Sequence, residues 1–143
     1  MKSKVNQRMQ LIQCHLTMIP IGKVSGTVAL WQKFSDELMS LVGEKGFLAL
    51  YSRSLHILRA PFPMLPYFDT EISPTTWLAD LEAVLAEQDL VGANNANYQL
   101  LMTFTDILAS LIGEDLTLEI LHSSWGNTDT KRIPANKEIE DDE

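Results

Sequence analysis

The sequence predicts an all-α protein: a compact bundle of five or six helices with an internal pseudo-two-fold duplication of a helix–Gly-Glu–helix hairpin. Three observations predict it. Apolar residues recur at three- and four-residue steps, the spacing of one helical face. Glycines and prolines mark breaks between those stretches. One eleven-residue stretch occurs twice: Phe34 to Glu44 aligns without gaps on Phe104 to Glu114, identical at seven of eleven positions. Two amphipathic helices readily place Leu on Leu by chance, but not also a shared Phe, Asp, Ser, Gly and Glu.

Taken in order, Val5, Met9, Ile12, Leu16 and Ile19 have helical spacing and predict the first helix. Trp31, Phe34, Leu38 and Leu41 form the core face of the next, with Lys33, Asp36, Glu37 and Ser40 opposite. Gly43 ends that helix, because glycine tolerates the left-handed conformation that closes a C-terminus. Glu44 opens its successor, where a carboxylate suits the positive helix end. That successor carries Phe47, Tyr51, Leu55 and Leu58 and stops at Pro61.

The run Pro61 to Pro66 connects the two repeats. Ser73-Pro74 reads as an N-cap with proline at the first helical position, introducing a helix through Trp77, Leu81, Val84 and Leu85. The Gly- and Asn-rich run Gly92 to Asn97 reads as a loop. Leu101, Phe104, Leu108 and Leu111 then repeat the earlier core face. Gly113 and Glu114 repeat the stop and start, and Leu118, Leu121 and Trp125 lead to Gly126. Phe34, Leu38, Leu41, Phe104, Leu108 and Leu111 are expected in one shared core.

This organisation is one helical domain over residues 1–126, with repeat 1 at about 1–60 and repeat 2 at about 71–126. An acidic tail, 127–143, lacks apolar periodicity and is expected to be solvated and mobile. At 143 residues, 45% apolar and 21% charged, the chain has the makings of an ordinary globular core. Its longest apolar run, Phe47 to Tyr51, is far below the roughly 20 residues that span a bilayer. Polar residues Gln10, Gln13, His15 and Thr17 interrupt what would be the apolar part of a leader. With a single cysteine, Cys14, this predicts a cytoplasmic protein.

Charge is unevenly spread. Residues 1–60 carry eight bases and three acids, whereas residues 61–126 carry ten acids and no Lys or Arg. The pattern argues against nucleic acid as a partner. It favours contact between the two halves, within a chain or between chains.

No phosphate loop, cysteine pair, nucleophile elbow or zinc-protease motif is present. Glu44 and Glu114 could form a carboxylate pair, but neither has a His three residues on, so each reads as a turn and helix-start charge. His15 lies among apolar residues and is expected to pack; His122 sits near a helix end. His56 shares a stripe with Lys45, Ala49, Ser52 and Arg59, away from the apolar face. The segment His56, Arg59, Ala60 resembles the phosphorylated helix of histidine-phosphotransfer domains. The resemblance implies His56 as phosphate acceptor and Arg59 as its electrostatic partner. Ala60 stands where that family has Gly, and Pro61 follows at once. Met9, Met18, Met39, Met64 and Met102 with Phe34, Phe47 and Phe104 could line a ligand or haem pocket, although such stripes more often form plain core.

The expected function is a non-enzymatic regulatory or adaptor module acting through protein–protein contacts or self-association. No catalytic residue, cofactor, metal, nucleic acid or membrane is assigned. Phosphotransfer at His56 and small-molecule or haem sensing are the alternatives.

Overall fold

The computed structural model describes residues 4–18, 24–66 and 72–126; Ile19 and the expected tail from Asn127 lie outside them. The helical periodicity is realised in five packed helices, with no strand among the described residues: α1 (Lys4–Thr17), α2 (Val24–Leu58), α3 (Trp77–Ala86), α4 (Leu90–Ile112) and α5 (Glu114–Trp125). None is long and apolar enough to cross a membrane.

α2 is two rods joined at Gly43, whose φ of 84° and ψ of 164° are not helical. Gly113, between α4 and α5, has φ 97° and ψ 155°. A Cβ at either glycine would meet nothing within 4 Å. The backbone conformation therefore demands glycine there, and crowding does not: a positive φ penalises any side chain whatever the space around it. α5 closes on Gly126, whose N–H donates to the His122 carbonyl at 2.8 Å.

α2 packs against α3, α4 and α5, while α1 lies on α4 and α5. The core centres on Trp31, which is fully buried. Its ring meets Tyr51 at 5.9 Å, Phe104 at 5.7 Å, and Phe34 and Trp77 at 6.1 Å. Phe34 and Phe104 touch edge-on at 5.4 Å, a favoured geometry for aromatic pairs. Phe47, Leu55, Leu58, Leu118 and Leu121 are buried as their spacing requires.

Several expectations need correction. Leu41 and Leu111 are 60% and 69% exposed. Helical spacing reports the angle around an axis, and burial also needs a neighbour at that height. Both leucines lie in the last turn before a glycine, where the chain turns away. Gly92 to Asn97 is not a loop but part of α4: the Asp89 carboxylate caps the helix by accepting from Gly92 N at 2.6 Å. Ala93, Ala96 and Asn97 are buried within it. α3 begins at Trp77 and not after Ser73, because Ser73 to Thr76 form a turn in which the Ser73 hydroxyl accepts from Thr75 N. On α1 the buried face is Arg8, Leu11, Ile12 and His15, whereas Val5 is exposed.

Trp31 Nε1 donates to Asn97 Oδ1 at 2.7 Å. Asn97 Nδ2 and the Tyr51 hydroxyl, both buried, find no hydrogen-bond partner among the described residues. Burial, reinforced by the charge of Asp80, pushes the Tyr51 phenol well above its ordinary pKa.

This core makes three predictions. Phe104→Ala should cost on the order of 3–5 kcal/mol, whereas Leu111→Ala should stay within about 0.5 kcal/mol; urea unfolding of both variants checks the contrast. Tyr51 has its folded pKa raised, so its contribution is complete below the unfolded value near about 10 and is lost as pH rises through the folded value. Its phenolate, read by the rise in tyrosinate absorbance, should appear only with unfolding. Tyr51→Phe removes an unpartnered hydroxyl and should be neutral or stabilising; a loss above about 1 kcal/mol would reveal a partner for that group.

Candidate functional site

The most elaborate polar constellation joins α1 to α4 and α5. Arg8 falls on the apolar stripe of α1, one turn before Leu11 and Ile12, and its side chain is only 1% exposed. Its guanidinium is fully engaged. Nε donates to Glu114 Oε2 and Nη2 to Glu114 Oε1, both at 2.9 Å. Nη2 also donates to Asp106 Oδ1 at 2.7 Å, and Nη1 to Thr105 Oγ1 at 2.7 Å. The Thr105 hydroxyl proton goes to the Leu101 carbonyl, leaving oxygen lone pairs free to accept from arginine.

Burying a charge is costly unless it is paired and hydrogen-bonded. Here the two-pronged contact with Glu114 matches the planar fork of arginine. Burial pulls the guanidinium pKa down, but the bonds to Glu114 and Asp106 more than offset it, so Arg8 ends above its ordinary value. Gly113 is what places Glu114 here: the bend starts α5 at Glu114, within reach of α1 and at the positive helix end.

Around this clamp, Lys4 pairs with Asp115 near the surface. His15 lies against Trp125 with ring centroids 5.0 Å apart and planes tilted by 46°, with Nδ1 3.0 Å from the Leu11 carbonyl and Nε2 3.2 Å from that of Trp125. Trp125 Nε1 in turn donates to the Leu30 carbonyl at 2.8 Å. Within the chain, two of the eight bases of the first half, Lys4 and Arg8, meet Asp106, Glu114 and Asp115 of the second.

The residues singled out from the sequence are scattered. Glu44 is exposed, whereas Glu114 is half-buried against Arg8, so Glu114 does more than start a helix. His56 is exposed near the end of α2, and Arg59 is exposed just beyond it. His122 is exposed on α5, while His15 packs as expected. No group of three or more His, Cys, Asp or Glu side chains is arranged to hold a metal among the described residues. Sequence reasoning missed Arg8, although a signal was there: positions 8, 11, 12 and 15 share one helical face.

A second surface feature sits at the glycine bends. Leu41 and Val42 precede Gly43 and are exposed; Leu111 and Leu116 flank Gly113 and are exposed too. Compared with known proteins, the chain matches no family model, no curated sequence and no solved structure.

The clamp and the surface pair should differ in energy. A double-mutant cycle between Arg8→Met and Glu114→Gln should give a coupling of about 1–3 kcal/mol. The same cycle on Lys4 and Asp115 should give about 0–1 kcal/mol and vanish near 1 M salt, where screening shortens to about 3 Å. Denaturant unfolding at two salt concentrations checks both.

Proposed function

We propose that this protein is a non-enzymatic interaction module that binds a partner protein, or a second copy of itself, through the surface at its two glycine bends. The single observation behind this reading is the exposure of Leu41 and Leu111. Each is a large apolar side chain held outward at the end of a rigid helix. A scattered exposed leucine is ordinary, but these two occupy matching positions of the repeated stretch, each beside an obligatory glycine. Large apolar side chains held in water gain most when a partner covers them.

The same reading takes the two hairpins as copies of one unit. The seven shared positions support it, as does the similar backbone of Gly43 and Gly113. Phosphotransfer is the second reading, favoured by the exposure of His56 and Arg59.

The test compares wild type with a Leu41→Asp/Leu111→Asp variant by sedimentation and by cross-linking in native lysate. The expected outcome is a cross-linked partner or dimer in wild type that is lost in the variant. Melting temperatures should match, because substitution of exposed side chains barely changes stability. Identical cross-linking of both proteins would sink the interaction reading. Phosphate uptake from acetyl phosphate that disappears in His56→Gln would replace it with phosphotransfer.

A further inference from the structure

The bends at Gly43 and Gly113 lie at the same end of the bundle. Phe34 meets Phe104 at 5.4 Å, and Trp31, one turn earlier, donates to Asn97, which also precedes Phe104. The first rod of α2 and α4 therefore run side by side in one direction. α5 returns along α2: the Ser123 hydroxyl donates to Glu37 Oε2 and Trp125 Nε1 to the Leu30 carbonyl, each at 2.8 Å. Tracing α5 back from Ser123 to its start, at about 1.5 Å per residue, leads to the end where Gly43 lies. α1 begins there too, since Lys4 pairs with Asp115.

Exposed apolar side chains gather at this end. Eight large ones are exposed among the described residues, and five of them are here: Val5, Leu41, Val42, Leu111 and Leu116. Leu41 and Leu111 stand two helical turns beyond Phe34 and Phe104 and therefore on the same helix faces as that pair. They carry the seam between α2 and α4 out into water. Single exposed apolar residues are ordinary, whereas a cluster of them rimmed by charge marks a contact surface. The rim here is balanced. Lys4 and Lys45 are exposed beside Glu44 and Asp115, in a chain whose net charge is −8.

We propose that this end of the bundle is a homodimer surface, on which the leucine-crowned seam of one copy meets that of a second. This rests on the interaction reading and commits it to one occupant. Charge is what selects a second copy. Two chains of net charge −8 repel over their acidic surfaces, but at this balanced end they meet without net repulsion. The end is also self-complementary. Lys45 and Asp115 hold matching places, each directly after a Gly-Glu pair, with opposite sign. A two-fold rotation that lays Leu41 of one copy on Leu111 of the other can set Lys45 opposite Asp115, twice over. Five apolar side chains with a charged rim are fewer than the roughly 20–30 residues a side of a standard interface. The dimer is therefore weak, forming near about 100 µM and not at nanomolar concentration.

The test is sedimentation velocity of the full chain over a concentration series. Wild type is expected to pass from monomer to dimer, and Leu41→Asp/Leu111→Asp to stay monomeric. Lys45→Asp and Asp115→Lys should each weaken dimerisation about tenfold, and both substitutions in one chain should restore it, since opposite charges then face each other again. Melting temperatures check that each variant folds. Lys45 makes no ion pair among the described residues, so Lys45→Asp remains readable even if Asp115→Lys, which breaks the pair with Lys4, melts early. A chain that is still monomeric at about 1 mM, or a dimer that Leu41→Asp/Leu111→Asp leaves intact, overturns the proposal. A swapped chain that associates no better than the single variants overturns the pairing of Lys45 with Asp115. A monomeric chain alongside leucine-dependent cross-linking to another protein removes the second copy as occupant and leaves the interaction reading standing, whereas cross-linking indifferent to both leucines sinks that reading as well.

Discussion

The edge-on meeting of Phe34 and Phe104, with Trp31 against both, ties α2 to α4, and the other helices are arranged around that contact. α3 adds Trp77, which meets Trp31, Tyr51 and Phe47. α5 adds Trp125, whose ring lies 6.1 Å from Phe34, and α1 then packs His15 onto Trp125. With one cysteine there is no internal disulfide to share the task, and six large aromatic side chains meet at the centre of the core, surrounded by leucines. A loss at the Phe34–Phe104 contact would therefore be felt by all five helices.

Against this apolar centre, the attachment of α1 is unusually polar. Arg8 takes a position that a leucine would fill in a simpler bundle, and the burial of its charge is tolerated because Glu114, Asp106 and Thr105 surround it. Replacing such a network with apolar side chains of similar size can be neutral or stabilising, whereas removing one member is costly. The clamp therefore acts chiefly on orientation: it holds α1 in one register on α4 and α5. Gly113 is part of the same device, since a helix continuing past it would carry Glu114 elsewhere. The bend that builds the clamp also leaves Leu111 outside, and Gly43 does the same for Leu41. Structure and proposed function thus meet at two glycines.

Much of the bundle could be read from local signals. The core faces of α2, α4 and α5, the stops at Gly43, Gly113 and Gly126, and the packing of His15 follow from periodicity and from the conformational latitude of glycine. These are properties of a chain and its nearest neighbours, and helical angle alone suffices to state them. The candidate site was half legible: its two Gly-Glu corners stand out in the repeat, but the cation that one of them holds does not.

Other features depended on residues far along the chain. Arg8 looks like a solvated basic residue near a terminus until Thr105, Asp106 and Glu114 are brought beside it. Gly92 to Asn97 has the composition of a loop, yet its alanines and Asn97 face a core that includes Trp31, and burial outweighs weak local preference. Leu41 and Leu111 have the angle of core residues and lie outside it because no helix covers them at that height. By itself the sequence determined which faces are apolar and where the helices break, because those depend on spacing along one helix. Only the tertiary structure decided which polar groups are paired and which leucines remain in water, because both depend on what a distant segment places alongside.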